Sequence, residues 1–370
     1  MRSLKHISSR GFSLGNLVSA KRFAKSIGIS VLPTKKRGNG NISSRVTIRD
    51  VARAAGLSIT TASHVLNNRR DLPEKTRRAV LDAVKKVGYR ANPSARSLRT
   101  GVTSIVSLTF RPKNAVHGSL SGTEYHLRLA GAAAAAAIDR GLGLLQLPVQ
   151  MLLDGALPTD GCIIVAPFGK DEVLQQSLLR GPVITADPDP DRPAFQNWAG
   201  RDESPGTREL LDHLVARGSR RIAFISGQDD NSWTRGSREA FVAWTQERGM
   251  ETNLLDFAEA SGFEGGITLG KKLLSLTNRP DAVVSATSPV AAGIATAARQ
   301  MGLIVPFDVR IAALSDSEIA RSFVPPITAL DLQPEAIGRA CVDLLCKVIA
   351  GEQVTPYVTR SVLRPRGSTA

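Results

Sequence analysis

The chain has 370 residues, a formal net charge of +15 and three cysteines. That length supports two or three domains with sizeable cores, and no apolar run approaches the ~18–20 residues of a membrane span. Cys162, Cys341 and Cys346 sit among apolar neighbours with no C-x-x-C spacing. This excludes a disulfide framework and points to buried thiols in a reducing, cytoplasmic compartment.

The charge is uneven along the chain. Residues 1–45 carry ten Lys or Arg and no acid, residues 46–100 carry twelve basic and four acidic residues, and the remainder carries 26 basic against 29 acidic. A basic front on a near-neutral body points to a polyanion-binding module joined to something else. Residues 1–45 are rich in Ser, Lys, Arg and Gly and resemble a transit peptide in composition. A disordered basic arm, or translated upstream sequence, is the plainer reading. The first internal methionine is Met151, so a shorter product would need a start such as Val31 or Val46.

The stretch Val46–Asn67 reads VTIRDVARAAGLSITTASHVLN and splits at Gly56 into two short helices. Ile48, Val51, Ala52 and Ala55 fall at i, i+3, i+4, i+7, with Thr47 before them as a cap. Ser58 caps a second helix whose apolar row is Ala62, Val65 and Leu66. A third helix follows, with Pro73 in its first turn and Val80, Ala83, Val84 and Val87 on one face. Together they predict a compact helix-turn-helix unit over residues 46–91. The second helix leaves Ile59, Thr60, Ser63, His64 and Asn67 on its outer face, where they can meet base edges or phosphates in a major groove. A solvated helix face is the bland alternative.

After the turn Gly88–Pro93, the segment 92–101 has helical potential but only one large apolar residue, Leu98, between Arg96 and Arg99. It cannot hold a helix alone. Docked on DNA, Leu98 can wedge into a minor-groove step with the arginines on phosphates; the alternative is a flexible linker.

From Thr103 the pattern alternates strand and helix. Strands are expected at Ser104–Thr109, Leu142–Leu147, Gly161–Ala166, Pro182–Ala186, Arg221–Ser226, Ala282–Ala286 and Val309–Leu314. Helices are expected at Leu127–Arg140, Pro205–Arg217, Arg235–Arg248, Phe263–Leu276, Pro289–Gln300 and Pro334–Ala350. Short apolar strands between helices predict α/β parallel sheets covered on both faces. Residues 102–370 exceed one comfortable core, which predicts two lobes: 102–203 with 332–350, and 204–331 with 351–370.

These residues resemble the LacI family of bacterial transcription regulators. The headpiece is similar in VTIRDVARAAGLS, SHVLN and TRRAVLDAVKKVGYRANPSARSLRTG. The body is similar, more loosely, in TDGCIIVAP, HLVARGSRRIAFISG, RPDAVVSA, GLIVPFDVRIAALSD and PPITALDLQPEAIGRACVDLL. The resemblance runs from Val46 to the end, about 325 of the 370 residues. It implies an all-α helix-turn-helix headpiece, a hinge helix, and a two-lobed core like a periplasmic binding protein. It further implies a homodimer on a near-palindromic operator in double-stranded DNA, cytoplasmic and nucleoid-associated.

On that resemblance Thr47 and Ser58 begin the two motif helices. Ile59 and Thr60 take the specificity positions, Ser63, His64 and Asn67 add DNA contacts, and Leu98 is the inserted hinge leucine, with Arg96 and Arg99 beside it. His64 stands where arginine is usual and loses its bidentate fork for guanine.

The effector cleft departs further from the family pattern. Thr287-Ser288 replaces a common Asn-Asp, Ser315-Asp316 replaces a pair of acids, and Arg238 stands where a glycine is expected three residues after Arg235, the effector arginine. A cleft that loses acceptors and keeps arginines suits an acidic or phosphorylated ligand better than a neutral sugar; the alternative is a site that has drifted and binds nothing. Tyr125, Phe168 and Trp233 are candidate aromatic walls, each equally readable as packing. Asp202 and Asp316 are readable as helix caps.

The function expected is a DNA-binding regulator, a repressor by resemblance, gated by a small-molecule effector. The competing reading is a soluble sugar-binding protein with an incidental basic front. An enzyme is the least supported reading. There is no G-x-S-x-G, no P-loop and no H-E-x-x-H, and His6, His64, His117, His126 and His213 are scattered. No cofactor or metal is expected.

Overall fold

The computed structural model describes residues 46–67, 72–90, 101–111, 124–170 and 172–370. The basic segment 1–45 and the expected hinge with Arg96, Leu98 and Arg99 lie outside the described residues. The chain divides into two compact units, one ending at Asn92 and one beginning at Pro93.

The first unit is three helices: α1 (Ile48–Ala55), α2 (Ile59–Leu66) and α3 (Glu74–Val87). The Asp50 carboxylate accepts from the Thr47 amide at 2.9 Å and from the Thr47 hydroxyl at 2.8 Å, tying down the entry to α1. Gly56 ends α1 with φ 67°, a left-handed conformation that suits glycine. Pro73 stands at the cap of α3, one position before its first turn. The i, i+3, i+4 rows converge as their spacing dictates: Val51, Ala52, Ala62, Val65, Val80 and Ala83 form a closed core.

The second unit holds two six-stranded sheets. The first lobe contains β1 (Ile105–Phe110), α4 (Glu124–Asp139), β2 (Gly143–Gln146), α5 (Val149–Asp154), β3 (Gly161–Val165), α6 (Val173–Leu178), β4 (Val183–Ala186) and β5 (Trp198–Arg201). The chain then crosses to α7 (Glu203–Ala216), β6 (Ile222–Ser226), α8 (Ser232–Glu247), β7 (Asn253–Asp256), α9 (Gly262–Leu274), β8 (Ala282–Ser285), α10 (Ser288–Gln300), β9 (Arg310–Ala313), α11 (Glu318–Ser322) and β10 (Thr328–Asp331). It returns with α12 (Pro334–Ile349) and β11 (Tyr357–Thr359), and ends in the second sheet with β12 (Val362–Arg364).

The first sheet runs β11-β5-β4-β3-β1-β2 and is parallel throughout. The second runs β12-β10-β9-β8-β6-β7, with β12 alone antiparallel. Residues 351–370 therefore do not all belong with the second lobe. Tyr357–Thr359 pairs with β5 in the first sheet, and the last crossing falls after Thr359, not at residue 350. The two three-residue strands are separated only by Arg360 and Ser361, so they read in the sequence as one irregular tail.

Helices approach the sheets and one another through small residues. In the first lobe, Ala133, Ala136 and Ala137 of α4 pack with Ile337, Cys341 and Leu345 of α12 in one core. In the second, α10 is buried from Ser288 to Ala298, and a Cβ at Gly293 would run into the Phe263 carbonyl of α9. Overpacking of a well-filled contact costs about 1–3 kcal/mol. Gly293→Ala is therefore expected to lower the denaturant midpoint of the second unit by that free energy divided by the slope, with the slope unchanged. An unchanged midpoint would show that α9 and α10 have slack.

Candidate functional sites

The outer face of α2 is set by its cap and its core. The Ser58 Oγ accepts from the Thr61 amide at 3.0 Å and contacts the Thr61 hydroxyl at 2.8 Å, which fixes the first turn. With Ala62 and Val65 turned into the core, Ile59 and Thr60 are exposed, and Ser63, His64 and Asn67 are half-buried. Asn67 Nδ2 donates to the Ser63 carbonyl at 2.5 Å and to its hydroxyl at 3.3 Å, so these two side chains hold each other. The helix carries no carboxylate to repel phosphates. Thr47 donates its hydroxyl to Asp50, so its first duty is the cap of α1.

In the second unit, the carboxyl ends of the parallel strands define the cleft, the place where such sheets bind ligands. At the first crossing between lobes sits a buried cluster absent from the sequence reading. Arg201, ending β5, donates through Nη1 to the Tyr125 hydroxyl at 2.8 Å and to Asp187 Oδ1 at 3.3 Å, and its Nε lies 3.0 Å from Glu203 Oε1. Its guanidinium also stands 5.3 Å from the Tyr125 ring centre. Tyr125 packs against the cores of both lobes. It is therefore a wall between them, with its hydroxyl already engaged.

Beside Tyr125 lies His126, edge-on to the rings of Phe110 and Tyr125, each 5.3 Å away. It is buried, and its Nδ1 has no hydrogen-bond partner among the described residues. Burial, aided by the Arg201 charge, pushes its pKa down to about 4, so the ring is neutral at neutral pH. Burial pushes the Asp187 and Glu203 carboxyls up, with Arg201 pulling against it.

On one side of the cleft Arg235, in α8, is held by two carboxylates. Its Nε and Nη2 donate to the two oxygens of Asp230 at 2.6 and 2.9 Å, and its Nη1 donates to Asp191 Oδ1 at 2.7 Å. Asp191 belongs to the loop between β4 and β5, in the other lobe. The Gly169 amide of the first lobe donates to the Asp230 carbonyl at 2.9 Å, and Phe168 pairs with Asn231 beside it. A cation–π contact places Arg111 5.2 Å from the Phe168 ring centre. Asp191 and Asp230, which the sequence does not single out, thus supply this arginine with acceptors beyond those expected at Thr287, Ser288 and Ser315.

On the other side, Arg321 donates to Glu124 Oε1 of the first lobe at 2.8 Å and to Asp316 Oδ2 at 3.3 Å. Asp316 also receives both terminal nitrogens of Arg366, at 2.9 and 2.8 Å. Its carboxylate is thereby engaged by two arginines, while the cap position of α11, the alternative left open for it, belongs to Ser317. Ser315 donates to the Ala286 carbonyl at 3.2 Å, and its own carbonyl accepts from Ser288. Thr287 caps α10, and its buried hydroxyl has no partner among the described residues. Arg238 pairs with Asp256 at the end of β7. Asp202 caps α7, accepting from the Ser204 amide at 2.9 Å.

Residues 47–92 match the family model described as bacterial regulatory proteins, lacI family, and residues 211–369 match a periplasmic binding protein-like domain. The chain is 26% identical over 329 residues to the HTH-type transcriptional repressor PurR of Mannheimia succiniciproducens, covering 82% of this chain and 92% of that one. It is 27% identical over 323 residues to the ribose operon repressor of Escherichia coli, covering 81% and 92%. Among solved structures it resembles the lac repressor dimer bound to operator and the anti-inducer ONPF, with a TM-score of 0.76 and 22% identity over 88% of this chain and 99% of that one.

The His126 pocket generates a pH dependence with a definite sign. The folded pKa lies below the unfolded value of 6.5, so the unfolded chain binds the proton first as pH falls. Stability present at neutral pH is therefore lost between about 6.5 and about 4, up to roughly 3 kcal/mol for this group. Glu203, whose pKa is raised, acts in the opposite direction and loses stability as pH rises. His126→Gln is expected to flatten the acid-side loss of denaturant midpoint between pH 7 and pH 5. An identical acid-side slope in the variant would show that the imidazole is charged in the folded chain.

Proposed function

We propose that the chain, whose residues 47–92 match the model of the LacI family of bacterial regulatory proteins, is a member of that family and a sequence-specific DNA-binding transcriptional repressor. Its operator affinity is set by a small molecule bound between the two lobes of the core. The observation that carries this reading is the capped, acid-free helix α2, presenting Ile59, Thr60, Ser63, His64 and Asn67 outward from a closed three-helix core. The similar chains named above are repressors, not enzymes.

DNA binding needs a dimer, since one headpiece reads one half-site and two related by a two-fold axis match a near-palindrome. Thr47 and Ser58, at the starts of the motif helices, serve phosphates through their helix ends. Arg96 and Arg99 of the hinge hold phosphates, and Leu98 enters the minor groove at the operator centre. The effector, a sugar or an acidic or phosphorylated metabolite, sits among Tyr125, Phe168, Arg235, Thr287 and Ser315, with Asp316 behind. The protein works in the cytoplasm, on the nucleoid. A ligand that closes or opens the cleft changes the separation of the two hinges, and by linkage the operator changes ligand affinity by the same factor.

Selection of bound DNA from a random pool, with and without cell extract, tests this directly. A two-fold symmetric motif is expected, and enrichment of no sequence would end the reading. Thr60→Ala or His64→Ala is expected to change base preference at one or two half-site positions, costing about 1–3 kcal/mol on the original site. Arg96→Ala or Arg99→Ala should weaken all sequences alike and flatten the salt dependence. Arg235→Ala should abolish the effect of the extract on operator affinity. Uniform loss across all five variants would misplace the recognition face.

A further inference from the structure

We propose that the Arg235 subsite is occupied by the chain's own Asp191 carboxylate, and that the effector is an anion which exchanges with it. This inference rests on the regulator reading and names the ligand class and switching step of its cleft.

The geometry is that of a filled anion site. Asp230 takes Nε and Nη2 of Arg235 side-on from within the same lobe, while Asp191 reaches across from the opposite lobe to Nη1. The Lys170 backbone and charge also face Asp191, and the same charge faces Asp230. Both acids are held below the usual carboxylate range by their bonds to Arg235, so both are ionised. The cross-lobe partner is built in and not incidental. Gly169 stands against the pair, and a Cβ there would collide with the Arg235 guanidinium and come within 2.7 Å of Asp191 Oδ2. The adjacent Gly169–Asp230 and Phe168–Asn231 pairings then close the same edge of the cleft.

The charge balance identifies what can replace Asp191. With Asp191 in place, Arg235 and Lys170 face two carboxylates and the cluster is neutral. With Asp191 withdrawn, two cations face Asp230 alone. A carboxylate or phosphoryl group restores the balance and the charge-assisted bond, whereas a neutral hydroxyl restores neither. The exchange is accessible because the ring is wet: the side chains of Arg235, Asp191 and Asp230 are 32%, 27% and 54% exposed. Partly solvated pairs of this kind are weak enough to open. The internal carboxylate is thus an occupant that keeps the lobes latched until an anion takes its place.

The Gly169 amide reports the latch, since its acceptor lies in the other lobe. In the full-length protein, Asp191→Ala is expected to raise hydrogen exchange at Gly169 by about tenfold, with the amides inside β3 unchanged. Arg235→Lys, which keeps the charge but loses the fork, should give a smaller rise. Calorimetric titration with inorganic phosphate and with acetate should show at least one of them binding Asp191→Ala about fivefold or more tighter than the parent, within the usual range of coupling. The ion that gains more tells a phosphoryl ligand from a carboxylate one. Unchanged exchange at Gly169 in Asp191→Ala, or no gain in affinity for either ion, overturns the proposal. Operator binding by the parent chain is measured alongside. Its absence removes the regulator reading and leaves the exchange result standing, whereas a silent Gly169 amide with intact operator binding removes the internal occupant alone.

Discussion

The core depends on one buried guanidinium. Arg201 closes the last residue of β5, and Glu203 opens α7, so the chain crosses between lobes inside the arginine's own ion pair. Asp187 at the end of β4 and Tyr125 on α4 complete the shell. One cation thereby ties the crossing strand, its neighbour in the sheet, the covering helix and the first helix of the next lobe. A buried ion cluster is a poor source of net stability, because desolvation consumes most of the attraction. What it supplies is position: four elements from two lobes can meet in only one register around a planar fork with fixed donors. Burial raising both carboxyls while Arg201 holds them down is the electrostatic signature of two acids sharing one cation.

The headpiece was legible from sequence because its determinants are local. Thr47, Gly56 and Ser58 act on residues within four positions, and the apolar rows of α1, α2 and α3 need only helical periodicity to converge. The same holds for strands such as Gly161–Val165 and Ile222–Ser226, whose continuous apolar character suits the centre of a parallel sheet. Trp198–Arg201 escaped because it ends in a charge and contains glycine, and Asn253–Asp256 because it is a half-exposed edge. Neither carries a two-residue alternation or an apolar run.

The cleft was legible only in part, for a physical reason. Arg235 can be found from sequence, but its partner Asp191 lies 44 residues earlier in the other lobe, in a loop of alternating Asp and Pro that reads as a turn. Asp316 is ambiguous in the sequence, readable as a ligand acid or as a helix cap. It follows a strand where a ligand acid belongs, yet Arg366, 50 residues later, takes both of its oxygens. Spacing cannot reveal whether an acid faces a ligand or an arginine from a distant segment. That depends on which strands become neighbours, and the short pair β11 and β12 that brings Arg366 back is itself weakly encoded.

The two arginine ties across the cleft are unequal. On the Arg321 side, Asp316 is 7% exposed and shared with Arg366, and Glu124 also accepts the Glu318 backbone amide at 2.6 Å. Breaking that tie takes two bonds from the Glu124 carboxylate of the first lobe, while Asp316 keeps Arg321 and Arg366 in the second. On the Arg235 side, the cross-lobe carboxylate Asp191 is 27% exposed and gives the arginine one bond, while Asp230 stays with Arg235 in the same lobe. The Arg321 edge therefore holds its cross-lobe carboxylate by two bonds and the Arg235 edge by one. Opening at that edge separates Phe168 and Gly169 from Asp230 and Asn231 while leaving the Arg201 cluster at the crossing intact. The chain thus places half-exposed ion pairs at the edge of the cleft and buried ones at the crossing between the lobes.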